Sequence, residues 1–252
     1  MIKTLYTRIK QGYRTIPFPA GSVSLPERFL GRPSIASGSC KEDCAVCEGV
    51  CPTGSISGCK ESLAIDLGRC IFCGECRKAC PAKAITFTDE YRLAAWQRGD
   101  LIVRDGFGPD EKAVARKIKN IFGRSLKLRQ VSAGGCNACE LDINVLNTPG
   151  FDLGRFGIQI VASPRHADGI VVTGPVTKNM IVALEKTYKA MPSPKLVIAV
   201  GSCALSGGPY IDHRETCNGV DSILPVDLYI PGCPPHPFTI LDGLLRVIDR
   251  KR

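Results

Sequence analysis

The sequence predicts a two-part chain, in which a cysteine-rich α+β half precedes an α/β half built on a doubly wound, mostly parallel sheet. Three observations lead to this fold class. Fourteen cysteines occur in 252 residues, and nine of them lie between residues 36 and 92. Two runs within that stretch repeat a similar cysteine pattern. From residue 128 onward, short apolar runs alternate with helical patterns, which is typical of parallel sheets covered by helices.

The first predicted element is an amphipathic helix within the N-terminal segment, residues 1–35. Apolar residues from Ile2 to Ile16 recur at helical spacing, four basic residues and no acidic one accompany them, and Pro17 and Pro19 end the pattern. The segment is too short and too charged to span a bilayer, and we expect no secretion signal and no transmembrane segment. We expect the helix to lie on a membrane surface or on a partner subunit. Packing on its own domain is the alternative.

The cysteine-rich segment, residues 36–92, predicts a domain of the bacterial two-cluster ferredoxin type. Its second unit reads CIFCGECRKACPAKAI, a spacing specific for these ferredoxins, in which the fourth cysteine of each run binds the other [4Fe–4S] cluster. The first unit has one extra residue between its first two cysteines. One cluster is predicted on Cys40, Cys44, Cys47 and Cys80. The other is predicted on Cys51, Cys70, Cys73 and Cys76.

Residues 93–127 form a predicted linker without cysteine. The stretch from Lys112 to Arg129 is basic, with apolar residues at helical spacing, so we interpret it as a helix that docks on a neighbouring subunit. A solvated, charged helix face is the alternative.

The C-terminal half, residues 128–252, supplies the parallel sheet. Strands are predicted at 128–133, 158–163, 169–174, 195–202 and 227–232, and helices at 175–191 and 237–252. Four cysteines come directly after three of these strands, namely Cys136, Cys139, Cys203 and Cys233. Because the carboxyl ends of parallel strands meet at one crevice, we expect these four thiols to converge.

Four thiolates at one crevice suit a third [4Fe–4S] cluster, with zinc as the rival metal. The neighbouring ferredoxin pattern favours iron. Cys59 is left over and is the alternative to Cys40 as a ligand, and Cys217 is expected to be an incidental free thiol. The formal net charge is +9, a balance that often indicates nucleic acid or anionic membrane. Three clusters of about −2 each would offset about six of those charges.

The C-terminal half resembles the small subunit of membrane-bound, energy-converting [NiFe] hydrogenases of the formate hydrogenlyase type. The matching stretches are GGCNACE (134–140), SPRHADGIVVTGPVT (163–177), GSCALSGG (201–208) and VDLYIPGCPP (226–235). LGRCIFCGECRKACPAKAI (67–85) and EYRLAAWQ (90–97) resemble the polyferredoxin subunit of the same complexes, so the chain looks like a fusion of the two. Related complex I subunits typically carry two adjacent cysteines where this chain has Cys136-x-x-Cys139, which favours the hydrogenase form.

The resemblance implies a flavodoxin-like fold for the C-terminal half and three [4Fe–4S] clusters that relay single electrons for proton reduction, with no catalytic residue in this chain. The implied partners are a large subunit with the nickel–iron site, membrane-arm subunits, and a donor such as a ferredoxin or a formate dehydrogenase subunit. The implied location is peripheral, on the cytoplasmic side of the membrane. Glu140 matches an acidic residue of related small subunits and is a hypothetical contact at the subunit interface and proton path; a first-turn acid that stabilises a helix dipole is the alternative.

Three other functions stay open. An equivalent subunit of a complex I-like ferredoxin or quinone oxidoreductase, without nickel, would use the same relay. A soluble electron carrier with an appended α/β module would lack the large subunit. A metal-stabilised structural or nucleic-acid-binding module is disfavoured, because twelve of the cysteines divide evenly into three sets of four; no nucleic acid is expected as a partner.

Overall fold

The computed structural model describes residues 2–41, 44–105 and 125–248. Helix α1, Ile2–Gln11, opens the chain, and none of its residues is buried. The helix is shorter than expected, because it ends before Gly12, whose positive φ of 61° is the left-handed conformation that commonly closes helices. The segment after α1 contacts the α/β half, where Ile16 N–H donates to Gly150 O at 2.8 Å.

The cysteine-rich half contains two small antiparallel sheets and two short helices. Strand β1, Pro33–Ile35, pairs with β4, Ile85–Phe87. Strands β2, Ile56–Ser57, β3, Ala64–Asp66, and β5, Ile102–Val103, form the other sheet. Helix α2 is Val46–Gly49 and helix α3 is Glu75–Ala79. Strands β1 and β5 lie outside residues 36–92, in the predicted N-terminal segment and the predicted linker.

The α/β half is a five-stranded sheet in which all neighbouring strands are parallel. Its strands are β6, Leu126–Ser132, β7, Ile158–Ile160, β8, Gly169–Thr173, β9, Leu196–Val200, and β10, Leu228–Ile230. Its helices are α4, Ala138–Val145, α5, Lys178–Ala190, α6, Ser202–Ser206, and α7, Pro237–Val247. The spatial order β7-β6-β8-β9-β10 is the flavodoxin-like order, so the prediction of a doubly wound parallel sheet is confirmed.

The predicted basic helix Lys112–Arg129 falls mostly outside the described residues. Its last part, from Leu126, belongs to β6, so the helix prediction is wrong there. The strand predicted at 128–133 is confirmed and begins two residues earlier. In β6 the side chains of Leu126 and Leu128 are buried while Lys127 is exposed, so this part of the sequence follows the period of two that belongs to a strand. The helix predicted at 237–252 ends at Val247 among the described residues.

The core lies on both faces of the sheet and continues into the cysteine-rich half. Every residue of β8 and β9 is buried, as expected for central parallel strands with helices on both sides. One cluster of buried side chains includes Ile65 and Ile85 together with Ile170 and Val172 of β8. Ala95 and Tyr229 exchange two backbone hydrogen bonds of 2.8 and 2.9 Å beside β10. The two halves are therefore packed against each other.

Candidate iron–sulfur centres

The first set of predicted ligands lines one cavity in the cysteine-rich half. Its members are Cys40, Cys44, Cys47 and Cys80. Backbone N–H groups point at two of these sulfurs, from Lys60 to Cys40 Sγ at 3.4 Å and from Ala84 to Cys80 Sγ at 3.3 Å. Burial raises the pKa of the Cys47 thiol, and the charges of Cys80 and Cys40 add to that effect. The structure thus joins the first run of cysteines to the last cysteine of the second run.

The second set lines a separate cavity. Its members are Cys51, Cys70, Cys73 and Cys76. Burial raises the pKa of Cys70 to about 12 and that of Cys76 to about 11, with smaller contributions from the neighbouring thiolates. Burial acts in the same direction on Cys51, but hydrogen bonds from Ser55 and Thr53 outweigh it and lower the pKa of this thiol. Ser55 Oγ lies 3.0 Å from Cys51 Sγ, a contact that the sequence analysis did not identify.

The third set sits at the carboxyl ends of β6, β9 and β10. Its members are Cys136, Cys139, Cys203 and Cys233. Burial raises the pKa of Cys203 to about 12, and the charges of Cys233, Cys136 and Glu140 act in the same direction. Burial also raises the pKa of Cys139, followed by the charges of Cys203 and Glu140. The charges of Cys203, Cys233 and Cys136 all contribute to the raised pKa of Cys139, so the four thiols lie close together at one crevice. They are hereafter called the crevice set.

Two glycine positions explain how this crevice can close so tightly. Gly201 has φ 89° and ψ 150°, a region that is almost exclusive to glycine. A Cβ at this position would lie 2.5 Å from Cys139 Sγ. A Cβ on Gly174 would lie 2.5 Å from the backbone nitrogen of Gly135. The loops after β6, β8 and β9 therefore approach one another at distances that a side chain would prevent.

Glu140 is buried beneath this crevice, with 6% of its surface exposed. Thr173, the last residue of β8, donates a hydrogen bond of 2.6 Å to Glu140 Oε1. The position of Glu140 in the first turn of α4 also suits its charge, because the amino end of a helix favours an acid. Thr173 gave no signal in the sequence, since it lies in an apolar strand and meets Glu140 only in the folded chain.

The second set lies near each of the other two sets. Burial dominates the raised pKa of Cys76, and the charge of Cys47, a member of the first set, also contributes. Burial likewise dominates for Cys233, with further contributions from Cys136 and from Cys73 of the second set. The second set is therefore close to both the first set and the crevice set.

The chemistry of these residues fits iron–sulfur clusters. All fourteen cysteines are free thiols, and each set offers four of them. Within the described residues, no three His, Cys, Asp or Glu side chains come close enough to hold a single metal ion. A [4Fe–4S] cluster places each thiolate on a different iron atom, so its four ligands stand further apart than those of one ion.

Three further residues lie outside the sets. Cys59 is not among the described residues lining the first cavity, although the next residue, Lys60, donates to Cys40. Cys217 is half-buried, and its N–H donates to Val176 O at 3.0 Å. His236 caps α7, since its Nδ1 accepts a hydrogen bond of 3.2 Å from Phe238 N–H. Burial lowers the pKa of His236, in keeping with a structural role.

Two protein families match parts of the chain. The family described as "NADH ubiquinone oxidoreductase, 20 Kd subunit" matches residues 136–247. The family described as "4Fe-4S binding domain" matches residues 63–86. The first match covers the crevice set and most of the parallel sheet, and the second covers the ferredoxin-like cysteine run at 70–80.

Individual relatives agree with the family matches. The probable membrane-bound hydrogenase subunit mbhJ of Pyrococcus furiosus is 41% identical over 140 residues, which cover 56% of this chain and 83% of that protein. Formate hydrogenlyase subunit 7 of Escherichia coli is 41% identical over 143 residues, 57% of this chain and 54% of the relative. An NADH-quinone oxidoreductase subunit of Heliobacterium modesticaldum is 42% identical over 116 residues, 46% of this chain and 66% of the relative.

These matches agree with the resemblance drawn from the sequence motifs. Each named relative is a subunit of an oxidoreductase complex. No helix among the described residues is long and apolar enough to cross a membrane. The chain is therefore an oxidoreductase subunit that belongs to the NADH ubiquinone oxidoreductase 20 Kd subunit family and carries in addition a 4Fe-4S binding domain.

Proposed function

We propose that the chain relays electrons through three [4Fe–4S] clusters to the nickel–iron site of a separate large subunit, in a membrane-bound hydrogenase of the formate hydrogenlyase type. The proposed domains are the docking segment 1–35, the two-cluster ferredoxin domain 36–92, the linker 93–127 and the flavodoxin-like domain 128–252. The observation that carries the proposal is the continuous series of thiol sets. Each of the two cysteine runs lines both cavities of the cysteine-rich half. Ser202, next to Cys203, donates a hydrogen bond of 2.6 Å to Cys70 O.

Bound clusters would supply one-electron oxidation and reduction, and the protein sets their positions and potentials. Each set contains at least one buried thiol, namely Cys47, Cys70 with Cys76, or Cys203, which shields part of its site from water. Backbone N–H groups at 3.3–3.4 Å from cysteine sulfurs, as at Cys70 and Cys80, stabilise negative charge there. Ser55 adds a hydroxyl contact at Cys51. These contacts differ among the sets, so the sets provide different environments for the same group.

The order of the sets gives the path of the proposed relay. The set of Cys40 and Cys80 lies farthest along the series from the crevice and receives electrons from a donor, such as a ferredoxin or a formate dehydrogenase subunit. Electrons then pass to the second set, hereafter called the Cys70 set, and on to the crevice set. Cys136 and Cys233 are exposed, and we propose that this exposed side of the crevice faces the large subunit, with Glu140 beneath it near the proton path.

Helix α1 is the proposed contact with the membrane arm. Its apolar residues Ile2, Leu5 and Ile9 are 87%, 64% and 73% exposed, and its basic residues have no acidic neighbour within the helix. A basic amphipathic helix of this kind lies in the interface of an anionic bilayer. The chain is therefore proposed to be peripheral, on the cytoplasmic side of the membrane.

A second candidate function is the equivalent subunit of a complex I-like ferredoxin or quinone oxidoreductase without nickel. The family match over residues 136–247 supports it, and the identity of 42% with the NADH-quinone oxidoreductase relative is nearly the same as that with the hydrogenase subunits, 41%. The Cys136-x-x-Cys139 spacing favours the hydrogenase.

Isolation of the native complex from membranes, followed by counts of iron and nickel against this chain, tests the proposal. About twelve irons per chain, with one nickel in a co-purifying large subunit, would support the hydrogenase. About twelve irons per chain without nickel would support the complex I-like alternative. A count near eight or four would show that one or two of the three sets hold no cluster.

A further inference from the structure

Two buried serines connect the two halves of the chain at the point where two of the thiol sets meet. Helix α6, Ser202–Ser206, begins directly after β9 and contains Cys203. Ser202 and Ser206 are 1% and 8% exposed. Residues four apart in a helix lie on the same face, so both hydroxyls leave α6 on one side.

Each hydroxyl donates to a carbonyl of the loop that carries Cys70. Ser202 Oγ lies 2.6 Å from Cys70 O, and Ser206 Oγ lies 2.9 Å from Gly68 O. Ser202 Oγ also lies 3.1 Å from Gly232 O, which already accepts the Ser202 N–H at 2.8 Å. A hydroxyl has one proton to donate, and the shorter contact is to Cys70. Ser202 thus connects three segments that carry predicted ligands. It precedes Cys203 in the chain, and its N–H donates a hydrogen bond to Gly232, which precedes Cys233. Its hydroxyl donates to the carbonyl of Cys70.

The Cys70 loop is also fixed on its own side. Gly68 N–H donates to Asp66 Oδ1 at 2.8 Å, and Cys70 N–H donates to Asp66 O at 2.9 Å. The carboxylate of Asp66 in turn receives two hydrogen bonds of 2.7 Å from Arg98. Because the loop is itself fixed, the two serine bonds hold α6 at a defined distance from it.

We propose that Ser202 and Ser206 are positioning residues that fix the spacing between the Cys70 set and the crevice set, and through it the rate of electron transfer between them. This inference rests on the proposed relay. The transfer would oxidise the cluster held by the Cys70 set by one electron and reduce the cluster held by the crevice set by one electron, with no bond formed or broken. Electron tunnelling falls steeply with distance, so a rigid connection keeps the rate uniform from molecule to molecule.

The test compares three versions of the full, iron-loaded chain: the wild type, the double variant Ser202→Ala/Ser206→Ala, and Ser222→Ala. The last is a matched control, because the Ser222 hydroxyl donates to Cys217 O at 3.1 Å within the α/β half. One measurement is the magnetic interaction between the two reduced sets by electron paramagnetic resonance. The other is hydrogen exchange of the backbone amides of residues 68–73.

In the double variant we expect the magnetic interaction between the two clusters to become weaker and to vary more from molecule to molecule. We expect exchange of these amides to accelerate about five- to tenfold for each lost hydrogen bond. Ser222→Ala should match the wild type. An unchanged interaction and unchanged exchange in the double variant would overturn the inference. So would a wild type with full iron but no interaction between these sets.

Iron counts on the same samples separate this inference from the proposed function. A wild type with fewer than about twelve irons contradicts the three-cluster relay itself. If the double variant loses iron, two single variants decide. Ser206→Ala should weaken the interaction partly, and Ser202→Thr, which keeps the hydroxyl, should retain it. The opposite pattern would overturn the positioning role.

Discussion

The cysteine-rich half and the α/β half assemble the same ligand chemistry by different routes. In the cysteine-rich half, each set takes three thiols from one short run, 40–47 or 70–76, and the fourth from the other run. In the α/β half, the four thiols come from the ends of three strands, spread over residues 136–233. The difference teaches that a cluster site can be specified by local spacing or by sheet topology. Changes in the crevice should therefore disturb both the cluster and the core beneath it.

Loss of a crevice thiol should have the largest effect. In Cys203→Ser we expect the iron content to fall by about four per chain, and electron delivery to the partner to stop, because the last station of the relay is gone. Cys217→Ser is the matched control and should keep its iron. Iron analysis and hydrogen production by the isolated complex measure both effects. Full iron in Cys203→Ser would contradict the assignment of the crevice set.

A second pair of variants tests the first cysteine run, which has one extra residue between Cys40 and Cys44. Cys40 lines the cavity with Cys44 and Cys47, so Cys40→Ser should lose about four irons per chain. Cys59→Ser should lose none. The resonance signal of the crevice set should survive in both variants, because that set is built by separate elements. Iron loss in Cys59→Ser instead would make Cys59 the ligand.

The glycine at the crevice should be far less tolerant than a glycine in the cysteine-rich half. Gly201→Ala forces a left-handed, extended backbone on alanine and places a methyl 2.5 Å from Cys139 Sγ. We expect it to lower the free energy of unfolding by about 1–3 kcal/mol through backbone strain, and to release the crevice iron first on titration with urea. Gly38→Ala, whose added Cβ has no heavy atom within 4 Å, should behave like the wild type. Equal urea midpoints for the two variants would contradict this account.

Changes in helix α1 should affect binding to the membrane surface and should not affect the iron content of the chain. The variant Leu5→Glu/Ile9→Glu places charges on its exposed apolar face, so binding to vesicles of phosphatidylglycerol and phosphatidylcholine should be lost while iron content stays unchanged. Thr4→Glu/Thr7→Glu adds the same charge on the polar side and serves as the control; it should retain more binding. Co-sedimentation with vesicles at low and high salt measures the difference. Equal binding by both variants would argue against a bilayer as the surface that α1 contacts.

The sequence by itself determined the features that depend on short spacing and local periodicity. Two such features could be predicted without a structure, because their geometry is set by neighbouring residues: the cysteine run from Cys70 to Cys80 and the continuous apolar segments of β8 and β9. The location of the crevice thiols followed from one fold rule, that parallel strands end at a common edge. The end of α1 at Gly12 and the start of β6 at Leu126 were missed. In each place a longer helical pattern of apolar residues outweighed a short local signal, namely a single glycine at the end of α1 and an alternation of buried and exposed residues at the start of β6.

Only the tertiary structure decided which residues meet across the chain. Thr173 donates a hydrogen bond to Glu140, Ser202 donates one to the carbonyl of Cys70, and the charge of Cys73 contributes to the raised pKa of Cys233. None of these pairs has a spacing that marks it, because each joins segments that are distant in the chain and are brought together by burial of apolar surface. The sequence therefore specifies three sets of predicted ligands for the proposed relay, but the order and spacing of these sets are decided only by the folded protein.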